Sequence, residues 1–358
     1  MKRSLFYKFF PPPQFLQMPV VGLDISDVSL RFIELTETRK GLTIGRFGEH
    51  DIPKGTIESG TIKNVTVLRD VLIDLKKKYN LGFVSVSLPE EKAYLFDLEL
   101  PKMKYAELRG AIELQVEDHV PLKASEVIFD YEIIGEDAST IKVNISVLPR
   151  ALVDSYLEAF SETGITPVAL EIEVHSIMHA VIPPDDEHAY MVVDFGRTRT
   201  GIFVAEKGAV LFTSTVPVGG DALTNSIAKN LNISHDEAEK VKREKGVTDR
   251  LVDENLSLAL MSMVSILRDE IAKHHTYWAT HEDEYGKKRQ EIHKIYLCGG
   301  EANLLGLRDY LAEGFSVPIE MANVLTNVNS LERYVPEISF YDSLRYATAI
   351  GLALRHLK

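Results

Sequence analysis

The chain has 358 residues, 45% of them hydrophobic and 26% charged, enough to bury one large core or two moderate ones. Its formal net charge of -13 argues against binding nucleic acid by neutralising phosphates, and a single cysteine, Cys298, excludes an internal disulfide framework and suits a reducing, cytoplasmic compartment. There is no apolar run of about eighteen residues, the length a membrane-crossing helix needs.

In chain order, residues 1–17 read as a tail. Lys2, Arg3 and Lys8 lie among Phe6, Tyr7, Phe9 and Phe10, three prolines follow, and no small-residue cleavage site is present. A tail without fixed structure and a short interfacial or partner-binding anchor both fit that composition. "VVGLDISDVSLRFIEL" then predicts a hairpin over 20–35, followed by a strand near 42–47. "NVTVLRDVLIDLKKKY" predicts a helix with Val67, Val71, Leu72 and Leu75 inward. "GFVSVSLP" and "AYLFDLELP" read as strands, and Tyr105 to His119 as one helix with Leu108, Ile112, Leu114 and Val116 at helical spacing. Two strands and a helix from Arg150 to Thr163 follow, so that Pro89 and Gly164 bound a strand, helix, strand, strand, helix insertion.

The second half opens on "YMVVDFGRTRTGIFVAEKGAVLF", a hairpin and a third strand. An offset of 170 residues superimposes its Asp194 on Asp24, so the halves read as related copies. In "VPVGGDALTNSIAKNL", Gly219 and Gly220 precede a helix that Asp221 can cap, and "SHDEAEKVKRE" starts with a serine cap. Asn255 to Tyr285 reads as a long helix with Leu256, Leu260, Val264, Leu267 and Ile271 inward. "KIYLCGGEANLLGL" is strand, glycine turn, helix, and "LRYATAIGLAL" is a small-residue helix that a neighbour can approach closely.

The paired turns carry the chemistry. A carboxylate repels phosphate, so Asp24 or Asp194 beside backbone amides makes sense mainly with a divalent cation or its waters between them. Gly196 lets backbone approach a phosphate, while Ser26, Ser29, Thr198 and Thr200 offer hydroxyls. His274, His275, Trp278 and His281, with Glu282 and Asp283 beside them, read as a solvated or subunit-contacting helix face rather than a metal centre, and Cys298 reads as a small buried side chain.

These segments together resemble the actin-like ATPase superfamily, and the ordered set is close to the PilM family of type IV pilus assembly proteins, from residue 20 onward. The most specific part is "VPVGGDALTNSIAKNLNISHDEAEKVK". The inserted block is similar to the small subdomain of PilM and FtsA. The resemblance implies an α/β, actin-like ATPase fold: two ribonuclease-H-like lobes (18–90 with 164–185 and 340–358; 186–225 with 290–339), an inserted α+β subdomain (91–163) and a helical subdomain (226–289). It implies ATP in the interlobe cleft, with Mg2+ held through water by Asp24 and Asp194. The turns, with Gly219 and Gly220, would grip phosphates, while Gly299, Gly300 and Glu301 would floor the nucleoside. Glu239 and Lys242 would reach ribose or adenine; an i,i+3 pair on a solvated helix face is the alternative. Glu173 occupies the place of a water-orienting acid. Ser26 and Arg31 stand where the family's first loop has glycine and lysine, and Val174 where proline follows the acid, so slow hydrolysis is expected.

The implied role is a scaffold at the cytoplasmic face of the inner membrane. It would hold the cytoplasmic N-terminal peptide of a PilN-like single-span protein between the first lobe and the insertion, with Ile112 and Val116 on one wall. The resemblance also allows contact with a pilus assembly ATPase and self-association. An FtsA-like polymerising tether and a small-molecule kinase on the same fold are the alternatives.

Overall fold

The computed structural model describes residues 20–38, 41–247, 254–282, 286–329 and 334–357. The basic, aromatic tail at 1–17 lies outside them, as do residues 283–285 at the expected end of the long helix. The first lobe opens with β1 (Val20–Ile25), β2 (Ser29–Thr38) and β3 (Gly41–Asp51), then a two-residue hairpin, β4 (Ile57–Glu58) and β5 (Thr61–Ile62). Helix α1 (Val65–Tyr79) starts where the Asn64 side chain accepts from Val67 N and stops at Asn80, which adopts the left-handed conformation. It buries Leu68, Val71, Leu72 and Leu75, so Leu68 takes the inward place expected of Val67. β6 (Phe83–Leu88) then leads into the insertion.

The insertion contains β7 (Tyr94–Pro101), α2 (Tyr105–Glu113), α3 (Val116–His119), β8 (Val127–Glu136) and β9 (Thr140–Pro149). Its sheet has the order β7-β9-β8, with β8 and β7 at the edges. The single helix expected over 105–119 is interrupted. Gln115 N bonds to Ile112 O, three residues back, which tightens the turn and leaves Leu114 84% exposed. Ile112 and Val116 are fully buried in the insertion's own core, with Leu108, Val143 and Ile145. They therefore cannot form the wall of a peptide groove, which corrects that expectation. Helix α4 (Arg150–Phe160) buries Leu152, Val153, Tyr156, Ala159 and Phe160 in the first-lobe core instead. The insertion's separate core thus ends near Pro149 rather than at Gly164.

The chain re-enters the first lobe through β10 (Thr166–Ile172) and α5 (Glu173–Val181). The second lobe follows with β11 (Ala189–Phe195), β12 (Thr200–Glu206), β13 (Ala209–Val216), α6 (Gly220–Leu231), α7 (His235–Lys245), α8 (Glu254–Thr280), β14 (Ile292–Cys298), α9 (Leu307–Ala312) and β15 (Ile319–Met321). Helices α10 (Phe340–Ser343) and α11 (Ala347–Arg355) close the chain against the first lobe. All five expected apolar positions of α8 are buried. Trp278 is buried too, and its indole donates to Gln290 O at 2.7 Å. This end of α8 is therefore partly core rather than a solvated face. Among the described residues no group of three or more His, Cys, Asp or Glu could hold a metal ion.

The two main sheets run β10-β6-β1-β2-β3 and β15-β14-β11-β12-β13. In each, the first strand pairs antiparallel with the second and parallel with the fourth. The duplication read from the offset is thus a duplication of topology. A continuous apolar core joins the lobes at their base, where Tyr190, Val192, Phe203 and Cys298 share one buried cluster with Val84, Ile177 and Ile350. Helix α11 crosses α5 so closely that a Cβ on Gly351 would meet the backbone of Ser176. Gly351→Ala is expected to destabilise the protein by about 1–3 kcal/mol, read by denaturant unfolding, because overpacking here presses on backbone. An unchanged midpoint would show that the crossing has room.

Candidate functional site

Asp24 and Asp194 are each the penultimate residue of their lobe's first strand. Matching turns follow: Ser26 N bonds to Ser29 O at 3.0 Å, and Gly196 N bonds to Arg199 O at 3.0 Å. The neighbouring parallel strand supplies the next contact. In the first lobe Ser87 Oγ donates to Asp24 Oδ1 at 3.0 Å and accepts from Ile25 N. In the second, Cys298 Sγ lies 3.9 Å from Asp194 Oδ1. Cys298 is buried, and burial beside Asp194 pushes its thiol well above the usual range, which keeps it protonated and inert.

A polar cavity of about 360 Å³ lies between the lobes. The first lobe lines it with Asp24, Ser26, Arg31 and Glu173, and the second with Asp194, Gly196 and Thr198. Gly299, Gly300, Glu301 and Lys242 complete the expected lining. At Gly299, with φ +90°, a Cβ would collide with the Asp194 carboxylate and Phe195 O, so only glycine lets this turn pass the acid. The remaining expected residues stand behind the cavity. Ser29 is buried, its hydroxyl 3.2 Å from that of Ser26. Thr200 is buried and donates to Val218 O. Gly219 packs on the 197–199 turn, and Gly220 packs on the Glu301 carboxylate and accepts from Lys242 Nζ at 3.2 Å. Glu239 accepts from Thr224 Oγ1 at 2.7 Å and pairs with Lys242 at 2.9 Å. Burial works against its ionisation, yet these partners hold it down at about 2.

Sequence reasoning missed Glu90 and Arg199. Glu90 follows Pro89 at the end of β6, is 5% exposed, and accepts from Thr215 Oγ1 of β13 at 3.3 Å. The usable signal was its position at the carboxyl end of a parallel strand, where α/β sites collect. Arg199 sends its guanidinium across the cleft to Asp27 at 3.2 Å, Glu173 at 3.5 Å and Glu91 at 3.6 Å. Burial pushes the Glu173 carboxyl well above the usual range and Glu90 adds to this, while Arg199 opposes it. For Glu90, burial is outweighed by its bond to Glu173 and by Arg199, which keep it below the usual value. Arg31, which pairs with Glu49 at 2.8 Å, is joined through that glutamate to Arg345 at 3.2 Å, a further lining residue.

Duplicated sheets with an acid at the tip of each first strand, facing one interlobe cavity, define the actin-like ATPase fold. The PilM-PilN type IV pilus biogenesis complex contains a similar chain, 21% identical, with a TM-score of 0.75 over 95% of this chain and 99% of that one. Ethanolamine utilization protein EutJ from Carboxydothermus hydrogenoformans has a TM-score of 0.56 at 16% identity, covering 96% of this chain and 90% of its own. MreB 5 of Spiroplasma citri bound to AMPPNP has the same score at 12% identity, covering 94% and 96%. The cell division protein FtsA of Staphylococcus epidermidis is 20% identical over 349 residues, 84% of this chain and 73% of its own. The family model described as type IV pilus assembly protein PilM matches residues 22–357, and the chain belongs to that family. Among the described residues no helix is long and apolar enough to cross a membrane.

Burial raises the Asp194 carboxyl to about 7, with the charges of Glu90 and Asp24 adding to the effect. An acid whose folded value lies above its unfolded one binds the proton more tightly when folded, so stability falls as pH rises from about 4 through about 7. In EDTA, Asp194→Asn is expected to unfold at higher denaturant than the parent at pH 8, with the gap closing towards pH 4. A gap independent of pH would refute the raised value.

Proposed function

We propose that the interlobe cavity binds ATP with Mg2+, and that the protein is a nucleotide-dependent scaffold of the type IV pilus, or a related secretion machine, at the cytoplasmic face of the inner membrane. The observation that carries this reading is the equivalence of Asp24 and Asp194, a buried and a half-buried acid from two lobes lining one cavity. Their ionised forms are disfavoured by burial, so a cation between them would relieve that cost. With no cluster of three or more such ligands among the described residues, the fit is to a hydrated ion reached through water. Bound there, Mg2+ would neutralise phosphate charge. The cations lining the cavity are already paired: Arg31 to Glu49, Arg345 to Glu49, Arg197 to Asp221, Lys242 to Glu301 at 2.8 Å, and Arg243 to Glu239. Phosphate grip therefore falls to the amides of the two turns and to the metal.

Hydrolysis is expected to be slow. Burial disfavours the ionised form of Glu173, and its carboxyl faces Arg199, so it offers no ready base to a water.

The partner groove is better sought at an edge than on α2. A cavity of about 150 Å³ separates β8, an edge of the insertion's sheet, from β10, an edge of the first-lobe sheet. Ile128, Tyr131, Leu148 and Leu170 line it, and the half-buried His175 contributes a buried Nε2 without a hydrogen-bond partner. Paired edges with apolar pockets suit an extended peptide. The occupant in this reading is the cytoplasmic N-terminal peptide of a PilN-like single-span protein, the partner named in the solved PilM-PilN complex.

ATP with Mg2+ is expected to raise the melting temperature, and EDTA or Asp194→Ala to abolish most of the shift. A full shift in either condition would show that the acids do not form the site. Steady turnover should stay well below roughly 10 per second. A peptide of the neighbouring single-span protein should bind with micromolar affinity, about -8 kcal/mol. Tyr131→Ala with Leu170→Ala should weaken it about tenfold, about 1.4 kcal/mol. Parental binding by the folded double variant would remove the groove assignment.

A further inference from the structure

The lobes meet in two physically different ways. At the base they share an apolar core. Higher up the cleft the contact is ionic. Arg199 leaves the β11–β12 turn of the second lobe and enters a first-lobe set of carboxylates, Asp27, Glu91 and Glu173. Its side chain is only 13% exposed. Thr198 beside it donates to Asp27 at 3.4 Å, and Glu90 receives Thr215 from β13. Space lies on both sides of this contact: the 360 Å³ cavity and a second of about 560 Å³ share Glu90, Thr198 and Arg199 as wall residues. Between these cavities the ion pairs of Arg199, with the Thr198 and Thr215 hydrogen bonds, carry much of the closure.

We propose that Arg199 is an interlobe clasp, which holds the cleft closed about its apolar base and whose release sets the rate of nucleotide exchange. The electrostatics give the direction. One guanidinium faces Asp27, Glu91 and Glu173, with Glu90 nearby. Without Arg199 the first lobe keeps an uncompensated, largely buried negative cluster against the second lobe's turn, and the cheapest relief is to let water in by opening. The closed form gathers Asp24 and Arg31 from one lobe with Gly196 and Gly299 from the other, so it is the form that retains a ligand touching both. Opening lowers the apparent affinity by the fraction of closed molecules lost. Because the Arg199 carbonyl also closes the Gly196 turn, the residue that clasps the lobes shapes the turn that lines the cavity.

The opening half of this proposal stands without the nucleotide reading; the exchange half rests on it. Small-angle X-ray scattering of the ligand-free protein tests the first: Arg199→Gln should have a larger radius of gyration than the parent, with unchanged circular dichroism. Release of a fluorescent ADP analogue, measured by chase in Mg2+, tests the second and should be about tenfold faster. Arg199→Lys, which keeps the charge but loses the planar fork, should release about threefold faster and is the variant to use if the glutamine form does not fold. Folded variants with parental scattering and parental release would overturn the clasp. If the parent binds no nucleotide, the nucleotide reading fails by itself, and scattering alone decides whether the clasp exists.

Discussion

Two carboxylates facing one cleft, buried Asp24 and half-buried Asp194, set the terms on which the rest of this structure is built. An ionised acid out of water is costly unless something compensates it. Each is placed at the end of the strand at the centre of its sheet, where a parallel neighbour on one side and an antiparallel one on the other can supply partners. The lobes use this arrangement unequally. Opposite Asp24 in the antiparallel register stands Arg31, and Ser87 donates from the parallel side. Opposite Asp194 stands Gly201, and the parallel side offers only the Cys298 thiol. Burial still raises the first-lobe carboxyl, but Arg31 and Ser87 oppose the rise from within its own lobe. Burial raises the second-lobe carboxyl to about 7, Glu90 and Asp24 add to this, and no equivalent donor stands at these two positions to oppose it. Duplication supplied the geometry, and divergence made one acid the more dependent on whatever enters the cleft.

The same asymmetry extends to the turns. Residues 26–29 and 196–199 close with the same hydrogen bond, yet Ser29 turns its side chain into its own lobe while Arg199 sends its side chain into the other. One copy became a local structural turn and the other a link across the cleft. Lys242 shows a related division of labour. Its ammonium is engaged by Gly220 O, Glu239 and Glu301, tying α7 to the floor of the cavity. Its first role is to position the wall, and any contact with a ligand would compete with those bonds.

Local pattern made much of this legible. The offset between Asp24 and Asp194 is the sheet duplication seen through two residues, and the apolar positions of α8 were readable because 3.6-residue periodicity reports a buried face. Periodicity does not report which body covers that face. Ile112 and Val116 were correctly apolar and helical, but they are covered by their own sheet, whereas Leu152 and Tyr156 are covered by the first lobe. Leu114 fitted the helical spacing and is nevertheless exposed, because the helix tightens and stops beside it. Glu90 and Arg199 were missed for a different reason. Their partners lie across the cleft in distant segments, and a charged residue at a strand end looks the same whether it faces water or another lobe.

The arrangement of charge also bears on why a protein with an ATPase fold would serve as a scaffold. A hydrolase needs a base whose lone pair is free when water arrives. Here burial disfavours the ionised form of Glu173 and its carboxyl faces a guanidinium from the opposite lobe, so it is committed to the structure of the closed cleft. Apart from Arg199, the lining cations are committed to carboxylates of their own lobe. Such a site can hold a ligand through turn amides and a hydrated ion without being poised to cleave it. The insertion is rooted in the same place, since Glu90 and Glu91 stand immediately before β7 and Arg199 and Thr215 reach them from the second lobe. The residues that close the cleft are therefore also the ones that anchor the base of the subdomain whose outer edge, β8, faces the proposed peptide groove.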